Sequence, residues 1–494
     1  MMEKDNTYSP GEVQSDDYVD RNDVSVAELP TSFWSRIWPV FACGAGLFSD
    51  GYLQSVIGSA TTILETIYGD AFSNSNARRN IVSLTFVGTV VGQIGFGFLS
   101  DYWSRKNSLL VSTTIMIIFA ALSAGAYGGG TLDGMVAALT AYRVLVGIGI
   151  GGEYPAGSVA ASEATAELKA GTRNRWFIFA TNFQLDIGFV AGTLVPMIVV
   201  LATTQKHLRA AWRISLGIGA VLPICMLIMR TKLKEPVEYR RNKMNKYPYL
   251  LIIRYYWFRL LTVSVIWFIY DMLTYSFSLY SSAWLDLILN PSGNATTPLW
   301  IILGWSTLIN AFYCPGSFIG AFISDWIGPK YSLIVGVTLQ GTIGFIMTGI
   351  YKYLDTNAHV AGFVVIYGIF LALGEIGPGN NIGLIASKTS STSVRGQYYG
   401  IAAAFGKLGG FAGNYIFPYL IADGGSSTIR QGQIPFYFSS GMCFLSAIIA
   451  ITCLPKIDQN FIEEEDNKFK AYLESKGYDT STMGTTEHLQ ALVE

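Results

Sequence analysis

Charge is scarce in this chain. Of its 494 residues, 14% are Asp, Glu, Lys or Arg, against about 25% in an average soluble protein. Histidine is rarer still: His207, His359 and His488 are the three, and none lies within a long apolar run. No H-E-x-x-H occurs, and no metal site or nucleophile–base pair can be built from so few groups. That sets aside a membrane-embedded hydrolase or acyltransferase. The five cysteines (Cys43, Cys225, Cys314, Cys443 and Cys453) lie in apolar segments without C-x-x-C spacing. They read as small core residues rather than a disulfide framework. A basic excess is also lacking: the net charge of −1 excludes nucleic acid as a partner. The first 30 residues are acidic and polar and show no cleavable signal peptide, which leaves the first apolar run to direct membrane insertion.

What the chain does have is apolar length. Its residues are 51% hydrophobic, and they gather into runs on the scale of a bilayer, which needs about 20 residues. Six runs cover Trp38–Ala60, Ile81–Asp101, Ser108–Ala126, Met135–Ala161, Trp176–Leu201 and Trp212–Met229. Six more cover Trp257–Trp284, Pro298–Ile323, Tyr331–Tyr351, Val360–Ala386, Gly396–Ile421 and Phe436–Leu454. The expectation is an all-α, multi-pass membrane protein with twelve transmembrane helices in two six-helix halves. Its expected parts are a disordered tail (1–33), an N-terminal bundle (34–230), a basic linker (231–255), a C-terminal bundle (256–455) and a polar tail (456–494).

Lys and Arg concentrate in that linker, in Arg105-Lys106, in Lys169–Arg175 and in Lys388–Arg395, all on one side of the predicted spans. The positive-inside rule makes that side, and both termini, cytoplasmic. The one N-x-[ST] sequon, Asn294-Ala295-Thr296, then falls outside.

The fourth run holds the densest chemistry, GIGIGGEYPAGS from Gly147 to Ser158. Gly147, Gly149 and Gly152 match G-x-G-x-x-G, but no strand precedes them, and helix packing is the better reading. Glu153 lies at membrane depth, where a charge costs roughly 2.5–3.5 kcal/mol. A second pattern occurs in both halves. Gly97-Phe-Leu-Ser-Asp101 with Arg105-Lys106 follows the second run, and Ala321-Phe-Ile-Ser-Asp325 with Lys330 follows the eighth. An Asp there can bind an Arg or a helix N-terminus and hold one face of the bundle shut. Asp101, Arg105, Arg143 and Asp325 are therefore candidate gate residues, with Arg143 as the expected partner of Asp101.

These two motifs resemble the loop and fourth-span signatures of the major facilitator superfamily. Ser49-Asp50-Gly51-Tyr52, Arg143 through Glu153-Tyr154-Pro155, Trp267-x3-Asp271-x3-Tyr275 and Gly406-Lys407-Leu408-Gly409 resemble its phosphate/proton symporter family. Adding Trp267-Phe-Ile-Tyr-Asp271, Gly377-Pro378-Gly379 and Val394-Arg395-Gly396, the fullest resemblance is to fungal glycerophosphodiester permeases. The resemblance implies proton-coupled import of glycerophosphoinositol or glycerophosphocholine at the plasma membrane by a monomer, with a proton gradient in place of a cofactor. Inorganic phosphate is the alternative substrate, and a nutrient sensor on the same fold is a further one.

The residues fit that class. Trp267, Asp271 and Tyr275 recur at i, i+4 and i+8 and share one helix face, and Lys407 is a cation deep in the eleventh run. Trp267, Asp271, Tyr275, Tyr154 and Lys407 are expected to bind the substrate, with Asp271 accepting it best when protonated, while Asp50, Glu153 and Asp271 carry protons. The resemblance adds Gln184, Gly379 and Asn380 to the substrate site. Three departures from the phosphate permeases stand out. Ser112 and Thr113 replace a third-span acid, Gly379 replaces an amide side chain and implies a roomier pocket, and Asp186 is an extra acid without an assigned role.

Overall fold

The computed structural model describes residues 33–481 and 483, apart from 74, 204–205, 290–296, 355–358 and 458–460. The sequon at Asn294 and nearly all of the 1–33 tail lie outside the described residues. Those described form helices and their connections, with no strand among them. A short helix, Phe33–Gly44, leads into α1 (Gly46–Tyr68). There follow α2 (Ala77–Tyr102), α3 (Arg105–Ala124), α4 (Leu132–Ala164), α5 (Arg173–Ala202) and α6 (Leu208–Arg230). The second half comprises α7 (Tyr249–Leu289), α8 (Leu299–Ile327), α9 (Pro329–Leu354), α10 (Val360–Lys388), α11 (Arg395–Ala422) and α12 (Thr428–Cys453). A last helix, α13, spans Phe461–Ser475.

Among the described residues, ten helices are long and apolar enough to cross a membrane. The helices α1 and α11 have the length, 23 and 28 residues, but glycine and buried polar residues such as Asp50, Gln54, Lys407 and Asn414 dilute their apolar character.

In a bilayer, close packing rather than hydrophobic exclusion holds helices together. The glycine-rich stretch of α4 is where its backbone touches α2. A Cβ on Gly147 would lie 2.2 Å from the Thr85 carbonyl oxygen, and one on Gly88 only 1.8 Å from that of Val144. Across the halves, α2 packs on α11, α5 on α8 and α1 on α7. Because α8 repeats α2 and α11 repeats α5, the first two contacts are one arrangement used twice. A second repeat is local. Both α4 and α10 widen into a π-helical turn, at Glu153–Ser158 and Glu375–Gly379. Each turn starts with a glutamate and contains a proline, whose missing N–H removes a helical hydrogen bond.

Two expected boundaries move. The end of the basic linker is helical, because α7 begins at Tyr249 and the helix-compatible run Leu250–Tyr255 extends it inward. The C-terminal segment is not simply a polar tail. Phe469, Tyr472 and Leu473 recur at helical spacing and make one face of α13 apolar. Phe469 and Leu473 are buried, and Phe469 packs on Tyr255 and Tyr256 with ring centroids at 5.4 and 5.2 Å. Glu465 pairs with Arg259 at 2.8 Å, and Asp466 accepts from the Thr392 N–H at 2.6 Å.

The α2–α4 contact predicts a position-specific response. Gly88→Leu should force the helices apart at an overpacking cost of about 1–3 kcal/mol. Its melting temperature in detergent should fall by several degrees. Gly95→Ala, whose Cβ would meet nothing within 4 Å, should leave it unchanged. Equal melting of the two variants would show that close approach is not what holds α2 to α4.

Candidate functional site

A cavity lies between the halves, lined by residues of α1, α4, α5, α7, α8, α10 and α11. Its water-accessible volume is ≈ 50 Å³, room for a few waters but far below the about 300–1,000 Å³ of a typical ligand site. Contacts between the halves lie toward both ends of the bundle.

At the centre stands Lys407, 1% exposed. Its Nζ lies 3.0 Å from Asp271 Oδ2 and donates to the Tyr275 hydroxyl at 2.5 Å. The same ammonium sits 4.6 Å from the Tyr154 ring centroid and 4.2 Å from that of Tyr275, a cation–π cage. Trp267 completes this end, edge-on to Tyr399 at 5.3 Å, and Gly406 leaves the space its indole occupies. Helical spacing explains the convergence: Trp267, Asp271 and Tyr275 project from one face of α7 toward α11. A lysine removed from bulk water at this depth needs a counter-charge, and Asp271 supplies it. An incoming phosphate would compete with Asp271 for the ammonium.

Of the substrate-site residues expected from the sequence, Tyr154, Trp267, Asp271, Tyr275, Gly379, Asn380 and Lys407 all line this cavity. Gln184 does not. Its Nε2 donates to the Phe179 carbonyl at 3.3 Å, whereas Thr181, Asn182, Leu185 and Asp186 form the α5 face that lines the cavity. Asn380 Oδ1 accepts from Ser317 at 2.8 Å and from Asn182 Nδ2 at 3.0 Å, which ties α10 to α8 and α5.

Gly379 does not simply enlarge the pocket. A Cβ there would stand 2.0 Å from Glu375 Oε2 and 2.6 Å from the Tyr270 hydroxyl, so the space is used by the Glu375 carboxylate. Glu375 accepts from Tyr270 at 2.6 Å and from Asn182 Nδ2 at 2.7 Å. Asp186 Oδ2 lies 3.4 Å from the same Asn182 nitrogen. Sequence reasoning missed Glu375 and Asn182. The signal was present in Gly374-Glu375 ahead of Pro378, a second version of Gly152-Glu153 ahead of Pro155.

Glu153 lies off the cavity in an ion pair. Arg230 donates to both of its oxygens, at 2.7 and 2.6 Å, and Ser112 and Thr113 donate to Oε1 at 3.1 and 3.3 Å. The hydroxyls that stand in place of a third-span acid thus hold an acid from α4. Arg230 is fully buried at the end of α6 and is no part of a solvated linker. Asp50, also fully buried, accepts from Gln54, and its Oδ2 has no hydrogen-bond partner.

Arg143 is not the partner of Asp101. Its Nη1 donates to the Leu53 carbonyl at 2.8 Å, and the charge acting on it is that of Asp50. The reason is axial distance: Glu163, which does reach Asp101's layer, lies about 30 Å further along α4 at 1.5 Å per residue. Asp101 instead pairs with Arg105 and accepts the backbone N–H groups of Gly396 and Gln397, at 3.0 and 2.8 Å, at the start of α11. Glu163 bridges Arg105 at 3.0 Å and Arg395 at 3.4 Å, and Tyr239 lies over the Arg105 guanidinium at 4.7 Å. At the equivalent place in the other half, Asp325 pairs with Arg175 at 3.5 Å, near the start of α5. The opposite end is joined by neutral and exposed contacts, Thr62 to Ser282 at 2.9 Å and Arg79 to the Tyr419 hydroxyl at 3.3 Å.

The chain matches the family model described as "Sugar (and other) transporter" over residues 38–247 and 239–469. It is 46% identical over 457 residues to the glycerophosphodiester transporter GIT2 of Candida albicans, covering 91% of this chain and 84% of that one. It is 42% identical over 483 residues to the major glycerophosphoinositol permease GIT3 of the same organism, covering 96% of this chain and 89% of that one. With glycerophosphoinositol transporter 1 of Saccharomyces cerevisiae the identity is 31% over 92% of this chain and 85% of the relative. The fold matches the major facilitator proton:xylose symporter XylE, bound to 6-bromo-6-deoxy-D-glucose, with a TM-score of 0.71 at 17% identity over 88% of this chain and 99% of that one. Two repeated halves around a central cavity, with the family model matching both 38–247 and 239–469, make this chain a member of the sugar (and other) transporter family.

Proposed function

We propose that this protein is a glycerophosphodiester transporter that imports its substrate with protons by alternating access. The observation that carries the reading is Lys407, the one cation among the described residues lining the cavity, held by Asp271 and Tyr275 where a phosphate can replace the carboxylate. The activities of relatives 42–46% identical to this chain support the substrate class. In this reading α1 and α11 join the ten apolar helices as spans, giving twelve. The Lys/Arg bias places the Asp101 end and both termini in the cytoplasm, and the carrier works as a monomer in the plasma membrane.

Asp271 and Asp50 are the proton carriers in this scheme. Asp271 balances Lys407 while the site is empty. When the phosphate takes Lys407, Asp271 is left as a second anion and gains a proton. Asp50 is fully buried and one of its oxygens has no hydrogen-bond donor among the described residues, so a proton there would remove an unsolvated charge. Glu153, the third expected carrier, is held in its ion pair with Arg230 in this conformation. The Asp101–Arg105–Glu163–Arg395 layer is the cytoplasmic gate, with Asp325–Arg175 as its counterpart.

The reading is tested by uptake of labelled glycerophosphocholine, glycerophosphoinositol and inorganic phosphate in cells lacking related carriers. Concentrative uptake of a diester, abolished by a protonophore, is expected. Uptake of phosphate alone would replace the substrate assignment, and accumulation without a proton gradient would remove the coupling.

Two variants examine the parts. Asp271→Asn keeps the shape and cannot release a proton, so it should bind substrate and catalyse exchange while losing proton-driven accumulation. Accumulation at the wild-type level would exclude Asp271 as an essential carrier. Asp101→Ala removes the acceptor for two amides and Arg105 and should lower turnover by on the order of tenfold or more, with KM little changed. Asp325→Ala should do less, because Arg175 is 31% exposed and an exposed pair contributes less. A raised KM at normal turnover for Asp101→Ala would count against the gate.

A further inference from the structure

Three carboxylates, Asp186, Asp271 and Glu375, line the cavity with a single cation, Lys407. Asp271 is matched by that lysine. Asp186 and Glu375, each 2% exposed, have no Lys or Arg within 4.0 Å among the described residues. Removing a carboxylate from water costs several kcal/mol unless a positive charge or a proton compensates it.

The repeat sharpens this imbalance. Glu153 and Glu375 open equivalent π-helical turns. Glu153 is neutralised by Arg230, the last residue of α6. The equivalent helix α12 ends in Cys453 and carries no Lys or Arg beyond Arg430 near its start. The second half kept the glutamate without the arginine, and Gly379 clears the space through which the carboxylate meets the cavity.

The surroundings are aromatic. Tyr270 donates to Glu375 at 2.6 Å. Tyr313 also lines the cavity, is 1% exposed, and its hydroxyl has no hydrogen-bond partner. Phe189 lies between the two ends, its ring centroid 5.8 Å from Tyr275 on the lysine side and 5.8 Å from Tyr313 on the acidic side. The cavity therefore has one end where Lys407 is paired with Asp271 and, beyond one phenyl ring, an acidic end without a cation among the described residues, walled by aromatic faces and an open phenolic oxygen.

We infer that Asp186 and Glu375, with Tyr270 and Tyr313, form the seat for a cationic head group, so that this carrier favours glycerophosphodiesters whose second arm bears a quaternary ammonium. The inference rests on the function proposed above and adds a specificity site to it. Such a substrate is a zwitterion: its phosphate meets Lys407 while its ammonium meets the two carboxylates. The N-methyl groups, which carry the charge without N–H donors, lie against the aromatic rings, as in other quaternary ammonium sites. An inositol arm can donate to the carboxylates but leaves their charge uncompensated.

The test compares head groups in wild-type cells and in two near-isosteric variants, Asp186→Asn and Glu375→Gln, normalised to surface protein. Competitors for labelled glycerophosphocholine are unlabelled glycerophosphocholine, glycerophosphoinositol and glycerophospho-3,3-dimethylbutanol, in which carbon replaces the ammonium nitrogen. In wild type the neutral isostere should inhibit on the order of tenfold more weakly than glycerophosphocholine. Each variant should raise the glycerophosphocholine KM by a similar factor while changing that of glycerophosphoinositol by no more than about threefold. Equal inhibition by the isostere overturns the inference without any mutant, and so does a parallel change of both diesters in the variants or no change in either. Should wild-type cells take up neither diester, the substrate class proposed above fails, and the head-group site fails with it.

Discussion

A charge between helices has no bulk water to turn to, so it must find its opposite inside the bundle or become neutral. Most of the polar architecture follows from that constraint. Arg230 and Glu153 meet it as a closed two-point pair, braced by Ser112 and Thr113. Arg105 and Arg395 meet it by sharing Glu163. Lys407 meets it with Asp271, but in a cavity wall, where the pairing is exchangeable. These paired ions thus divide into fixed pairs that shape the bundle and one pair that faces the cavity.

The repeat supplies the scaffold and its divergence supplies the chemistry. Asp101 and Asp325 occupy the same place after α2 and α8, yet one receives two backbone amides and an arginine while the other meets a half-buried arginine. Glu153 and Glu375 begin the same turn, and only the first has a partner on the helix that ends its half. A symmetric bundle would present like surfaces to both ends of a substrate. These departures give the cavity two chemically unlike ends.

Much of this was legible in the sequence because it depends on local spacing. The i, i+4, i+8 set of Trp267, Asp271 and Tyr275 selects one face of α7 whatever surrounds it, and glycines at 147 and 151 mark close approach to any neighbour. What failed depends on depth and rotation. Arg143 was expected beside Asp101 because both belong to one recognisable pattern, although most of α4 separates their levels. Gln184 was chosen by residue type, while the bend around Thr181 turns Asn182 and Asp186 inward instead. Arg230 stands at the border of the bundle and the basic linker, and only its burial against α3 and α4 distinguishes it from the lysines that follow. The apolar face of α13 was there to be counted, but a short amphipathic run in a polar tail has no significance until Tyr255 and Tyr256 are known to receive it.

The two closures of the cavity differ in kind, and this makes the transport cycle mechanically lopsided. Parting the halves at the Asp101 end strips buried guanidinium and carboxylate groups of their partners. Parting them at the other end exposes a buried hydroxyl pair and an apolar core shared by both halves, with Ile63 and Leu64 of α1 and Leu279 and Leu285 of α7 among its residues. The first process resembles cleaving an ionic lattice, the second opening a seam of hydrocarbon. Ions and osmolytes applied to opposite faces of a sealed vesicle then act on different halves of the cycle, and flux in the two directions need not share a rate-limiting step.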